Sequence, residues 1–267
     1  MDRRRRLRSD RPPRRKEAID LDDVIYGIHA IEEALAAGEP LRRIYVGDER
    51  KRDPAMRLAL ERAEAAGVPV RFESRSFFSQ FPYRAHQSVV GYGQPFAYVT
   101  LGEALALDGK GDGRLYVVLD HITDPHNAGA IIRSAECAGA TAIVLPERRS
   151  AGVNATVRKA AAGATAHIPV ARVANVADAL RTMKKANVWV AGATLGEGAR
   201  DYTKVDLTGD LALVIGAEGS GISPVVQKEC DYLVRIPIHG EIGSLNASVA
   251  AGILLYEVRR QRAERQK

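Results

Sequence analysis

With 267 residues, 46% apolar and 27% charged, the chain can bury one large core or two modest ones, and its composition excludes a disordered or fibrous class. No apolar run approaches the ~18 residues of a spanning helix, and the arginine-rich start lacks the apolar stretch of a secretory signal, so no membrane association is expected. The net charge of +6 sits at the two ends: residues 1–16 hold nine Arg or Lys against Asp2 and Asp10, residues 259–267 hold five against Glu264, and the body between is mildly acidic.

In chain order, residues 1–21 form a basic arm whose only large apolar side chains are Met1, Leu7, Ile19 and Leu21, so it is expected to be disordered by itself. It reads either as a solubilising tail or as a phosphate-binding arm. From residue 22 the elements alternate: a helix over 28–37 closed by Gly38, a strand over 41–46, and an Asp53-Pro54 start to a helix running to Gly67. A strand over 68–72, a short helix over 75–81 and a strand over 87–92 complete a unit spanning 22–97. Residues 98–113, rich in glycine and without a clear period, are expected to be an interdomain linker with a short helix at 101–107.

The second unit, 114–267, opens with a strand over 115–119 and a helix over 128–138 stopped by Gly139. Strands near 142–145, 168–170, 188–191, 211–215 and 232–236 follow, with helices around 154–162 and 175–186, a short one after Ser223, and a long one from Asn246. Strands separated by helices predict a mainly parallel sheet covered on both faces. Val249, Ile253, Leu254 and Val258 of the last helix are expected to face a core. Cys137 and Cys230 stand alone, without a Cys-x-x-Cys or a His cluster, and are expected as small buried residues in a reducing cytoplasm. No metal-ligand constellation appears.

Three segments of this unit join an apolar strand to a loop of small residues: LDHITDPHNAGAIIRSA (119–135), LVIGAEGSGIS (213–223) and RIPIHGEIGSLNASVAAGILLYE (235–257). Loops at strand ends are where an α/β protein places its chemistry. Asn127 sits where a helix N-cap belongs. Arg133 lies in an apolar stretch, open to a structural ion pair or to an anion-binding role. Glu218, among glycines, could cap the helix near Ser223, and Ser244 and Asn246 could be ordinary caps or an anion site. The glycine loop is neither G-x-G-x-x-G nor a P-loop, which excludes nicotinamide and nucleoside triphosphate readings.

In order, spacing and composition the three segments resemble the motifs of the SpoU (TrmH) family of RNA ribose 2'-O-methyltransferases, within the trefoil-knotted SPOUT superfamily, over roughly 114–260. The resemblance implies an α/β fold: a knotted methyltransferase domain preceded by a small ribosomal-protein-L30-like RNA-binding domain. For the latter, Ile25-Tyr26-Gly27-Ile28-His29-Ala30 and His86-Gln87-Ser88-Val89-Val90 are the loosely matching stretches. It implies S-adenosylmethionine as cofactor, held around Thr194, Leu195, Gly196, Ile215, Gly216, Ile236, Ile238 and Leu245, and no metal. Arg133 falls on the arginine assigned to activating the ribose hydroxyl, with Asn127, Glu218, Ser244 and Asn246 in the catalytic site. Gly243 departs from the small polar residue often found there. Within the family the chain looks most like the bacterial enzyme that methylates a guanosine ribose of 23S rRNA, acting in the cytoplasm as a homodimer. The alternatives are a tRNA-directed or antibiotic-resistance methyltransferase of the same family, or a non-catalytic RNA-binding or ribosome-assembly protein.

Overall fold

The computed structural model describes residues 24–36, 38–81, 86–93, 95–109 and 112–266, so the basic arm lies outside the described residues. In the first unit, β1 (Val24–Tyr26) and β4 (Val89–Gly93) are antiparallel, β4 and β2 (Leu41–Gly47) are antiparallel, and β2 runs parallel to β3 (Val70–Glu73). The sheet order is β1-β4-β2-β3. One face buries Ile44, Val46 and Val89 against Ile28, Ile31 and Leu35 of α1 (Ile28–Ala36) and Ala59 and Ala63 of α2 (Arg57–Ala65). The expected Asp53-Pro54 start is present as one 3-10 turn, Pro54–Met56, in which Asp53 accepts from the Ala55 N–H at 2.9 Å before α2 begins.

The stretch expected as a linker is packed instead. Val99 pairs with Ala171 at the edge of the second sheet, and the Tyr98 hydroxyl accepts from the Val153 N–H at 2.7 Å. Thr100 and Glu103 form a capping box for α3 (Leu101–Leu105), which buries Ala104. Glycine content alone missed these contacts because they are made with residues roughly 50 to 70 positions away.

Seven strands make the second sheet, in the order β7-β6-β5-β10-β8-β11-β9, and every pairing in it is parallel. They are β5 (Leu115–Asp120), β6 (Ala142–Pro146), β7 (Val170–Val173), β8 (Trp189–Ala193), β9 (Arg200–Asp201), β10 (Leu211–Gly216) and β11 (Tyr232–Arg235). All six residues of β5 are buried, and Leu115–Leu119 make the unbroken apolar run expected of a strand covered on both faces. On one side lie α4 (Pro125–Cys137), α5 (Ala155–Ala161) and α8 (Ala247–Arg265); on the other lie α3, α6 (Val176–Lys185) and α7 (Pro224–Glu229).

Three expectations need correcting. β9 has no counterpart in the sequence pattern, because two residues are too few to show a period; its place is held by pairing with β11 and by the Arg235–Asp201 ion pair at 2.8 Å. On α8, Leu254 and Val258 are buried, but Val249 is 50% exposed, since the core contact of the helix runs through Ala247, Ala251 and Leu255 instead. Cys137 is exposed on α4; Cys230 is half-buried, its thiol donating to the Val226 carbonyl at 3.4 Å, and burial pushes that thiol up to about 12. Among the described residues no helix is long and apolar enough to cross a membrane.

Candidate active site

The site begins with how α4 starts. Asp124, not Asn127, is the N-cap: its carboxylate accepts from the His126 N–H at 3.1 Å, and Pro125 takes the first helical position, where no N–H is needed. Asn127 therefore sits inside the first turn, 8% exposed, with its side chain free for other partners. Its Nδ2 donates to Glu218 Oε1 at 3.0 Å, and its Oδ1 accepts from Asn246 Nδ2 at 2.8 Å.

Asn246 is the N-cap of α8, its Oδ1 accepting from the Ser248 N–H at 2.9 Å and the Val249 N–H at 3.3 Å. That obligation turns its Nδ2 toward Asn127 and toward Glu218, which also accepts from it. Glu218 Oε1 accepts a further bond from the Ala247 N–H at 3.3 Å. Glu218 thus serves the start of α8 and not α7, whose N-cap Ser223 makes no side-chain capping bond. The three motifs, separated by 91 and 28 residues, close into one triangle of side chains.

The Glu218 loop is held tightly. The Gly221 N–H donates to the Ala217 carbonyl at 2.8 Å, and a Cβ on Gly216 would lie 2.1 Å from the Gly221 carbonyl carbon, so only glycine fits at 216. Asp120, fully buried at the end of β5, accepts from the Ser223 N–H at 2.7 Å and bonds His121 Nδ1 at 2.6 Å. Sequence reasoning passed over Asp120; the available signal was a carboxylate ending a wholly apolar strand.

A cavity of about 350 Å³ opens beside this triangle, a volume within the range of small-molecule sites. It lies at the carboxyl ends of three neighbouring strands, β8, β10 and β11, and the first turns of α8 close it. Ligands of parallel sheets bind in this position. The eight residues expected around a cofactor, Thr194, Leu195, Gly196, Ile215, Gly216, Ile236, Ile238 and Leu245, all line it, together with Glu218 and Ser244. Ala193, Val234, Ala250 and Leu254 add apolar wall beyond those eight. The Thr194 hydroxyl accepts from the Gly196 N–H at 3.1 Å, and the Thr194 N–H donates to the Val234 carbonyl at 2.9 Å, which pins the loop after β8 onto β11. Ser244 is exposed on the cavity wall and makes no side-chain hydrogen bond among the described residues.

Arg133 is placed differently. It is exposed on α4, outside the cavity lining, with no hydrogen bond or ion pair among the described residues, so the structural ion pair does not form. A guanidinium without an internal partner is available to an anion. Among the described residues no group of three or more His, Cys, Asp or Glu is arranged to hold a metal ion.

The model of the SpoU rRNA methylase family matches residues 114–256, and a model for RNA 2'-O ribose methyltransferase substrate binding matches 24–99. A putative TrmH family tRNA/rRNA methyltransferase of Bacillus subtilis is 38% identical over 90% of this chain and 96% of its own length. The chain belongs to the SpoU family. An uncharacterised tRNA/rRNA methyltransferase of Synechocystis is 42% identical over 92% of this chain, which spans 64% of that protein. Among solved structures, the SpoU methyltransferase AviRb of Streptomyces viridochromogenes in complex with AdoMet superposes with a TM-score of 0.73, at 26% identity over 90% of each chain. An AdoMet-bound rRNA methyltransferase of Sinorhizobium meliloti gives 0.68, at 29% identity over 89% of this chain and 86% of the other. The SpoU fold, a mostly parallel seven-stranded α/β sheet with a substrate-binding domain in front, is therefore this chain's fold.

Proposed function

We propose that this SpoU-family RNA methyltransferase uses S-adenosylmethionine to methylate the ribose 2'-hydroxyl of a guanosine in 23S rRNA. The observation that carries the cofactor is the cavity itself. Its walls are mostly apolar with a few polar groups, the Gly216–Gly221 loop on its wall is packed too tightly for any residue but glycine at 216, and two related structures bind AdoMet. When bound, S-adenosylmethionine supplies an already activated methyl group, so the protein has mainly to align an oxygen with it.

Backbone groups at Gly216, Ile236 and Leu245, with the Thr194–Gly196 loop, hold the cofactor. The Asn127–Glu218–Asn246 triangle fixes the loop and the start of α8 that form two of its walls. Ser244 offers a free hydroxyl at the cavity edge. Arg133 binds the RNA phosphate and orients the ribose hydroxyl. It does not act as a base, because deprotonating a guanidinium at pH 7 costs about 7–9 kcal/mol. The proton passes to the phosphate or to water.

Residues 22–97 deliver the RNA, 114–267 carry the reaction, and two copies associate through the knotted unit, where α8 leaves Val249 and Tyr256 exposed. Relatives named for both tRNA and rRNA favour a tRNA target as the second reading. Mapping 2'-O-methyl groups on rRNA and tRNA from cells with and without the gene decides between them. Loss at one 23S guanosine is expected; loss confined to tRNA would overturn the rRNA assignment.

A further inference from the structure

The sequence stretch His86-Gln87-Ser88 is not used by the methyl-transfer site, and its backbone is costly. Gln87 and Ser88 have φ of 51° and 55°, a left-handed conformation that side-chain-bearing residues rarely adopt in succession. Such strain persists only where the surroundings over-determine it, and here two backbone hydrogen bonds hold Ser88. Its N–H donates to His86 Nδ1 at 2.8 Å and its carbonyl accepts from the Gly47 N–H at 2.7 Å, while its side chain interacts favourably with the Glu49 carboxylate. Glu49 folds back over Gly47, its carboxylate 2.6 Å from where a Cβ at 47 would lie.

The outcome is a set of groups prepared for a ligand. With Nδ1 accepting, the neutral His86 ring carries its proton on Nε2 and can donate from there, and the ring is stacked on buried Phe78 at 5.5 Å. The interaction with Ser88 holds the Glu49 carboxyl below its ordinary range, so it is an acceptor at neutral pH. Gln87 is exposed at the apex and makes no hydrogen bond among the described residues. These side chains, with Arg75, border a groove of about 1170 Å³. It sits where the chain leaves β2 and β3 and enters β4.

The charge of the groove narrows its occupant. Arg50 is already paired with Asp53 at 2.6 Å and Lys51 with Asp48 at 2.8 Å, leaving Arg75 to face Glu49. Among the described residues the groove thus has no excess positive charge, and such a groove does not suit a run of phosphates. It does suit the edge of an unstacked base, which presents donors and acceptors together. Building on the RNA-substrate reading above, we propose that this groove receives one splayed nucleobase of the substrate RNA, its edge read by Gln87, the His86 Nε2–H and Glu49.

The test is a fluorescence-anisotropy titration of the full chain with a labelled single-stranded RNA of roughly 20 nucleotides, and with the same strand annealed to its complement. Gln87→Gly keeps the positive φ and removes the amide with its side chain, and Glu49→Gln keeps an acceptor for Ser88. Each is expected to weaken single-strand binding about fivefold to tenfold, the effect of one lost hydrogen bond, with the salt slope unchanged. Single-strand affinity equal to that of the parent in both variants overturns the proposal. An equal loss on duplex with a shallower salt slope also overturns it, because phosphates would then be what the groove reads. Calorimetry with S-adenosylmethionine on the same samples keeps the two ideas apart: parent protein that fails to bind it sinks the methyltransferase reading and leaves the groove result standing.

Discussion

Replacing Asn127 by Asp tests whether the side-chain triangle is what holds the three motifs together. The substitution is isosteric and puts an oxygen where Nδ2 now stands, 3.0 Å from Glu218 Oε1. A donor–acceptor contact becomes a contact between two carboxylates. With an effective dielectric between that of a protein surface and that of water, like charges at this distance repel by about 1.5–5 kcal/mol. The lost hydrogen bond adds roughly 1 kcal/mol. Asn127→Ala, the control, loses two hydrogen bonds and no charge is added, so it is expected to cost about 1–2 kcal/mol. For a protein of this size each kcal/mol lowers Tm by roughly 2–4 °C. Asp should therefore melt several degrees below Ala at pH 7.5. The repulsion raises the proton affinity of the pair in the folded state above that of a free carboxyl, so the variant regains stability as pH falls and loses it as pH rises through the raised value. Differential scanning fluorimetry from pH 7.5 to pH 4.5 should show the Asp curve approaching the Ala curve. An Asp variant that tracks Ala at every pH would refute the triangle as the joint between motifs.

Gly216→Ala should abolish S-adenosylmethionine binding in calorimetry, because its Cβ would sit 2.1 Å from the Gly221 carbonyl carbon and displace the loop on the cavity wall; affinity within threefold of the parent, roughly 0.6 kcal/mol, would contradict that wall. Arg133→Ala should remove methyl transfer while leaving cofactor affinity unchanged and stability within about 0.5 kcal/mol of the parent, as for an exposed side chain without partners among the described residues. If Arg133→Lys keeps full activity, a bare positive charge suffices and the planar guanidinium has no orienting part. A thiol reagent at pH 8 should modify exposed Cys137 quickly and Cys230 slowly, since a thiol pushed up to about 12 holds only ~0.01% thiolate there. Two equally fast thiols would mean that the α7–β11 region opens.

The sequence by itself determined the alternation of strands and helices, the continuous apolar runs such as Leu115–Leu119, and the three small-residue loops, because all of these are local. Period, turn chemistry and caps act over a few residues and leave their mark in order along the chain. Asn175 and Asn246 cap the helices that begin after them, and Gly139 follows α4 with φ of 70°, as their residue types predict. Only the tertiary structure decided which polar side chain does which work. Asn127 carries the same cap signal as Asn246, yet Asp124 takes the cap one turn earlier and frees Asn127 to meet Glu218 across 91 residues. Glu218 caps α8 and not the helix next to it in sequence, and the expected linker is packed against β7. These choices turn on which strand lies beside which. That order is set by burying both faces of the sheet at once, a condition no short stretch of sequence contains.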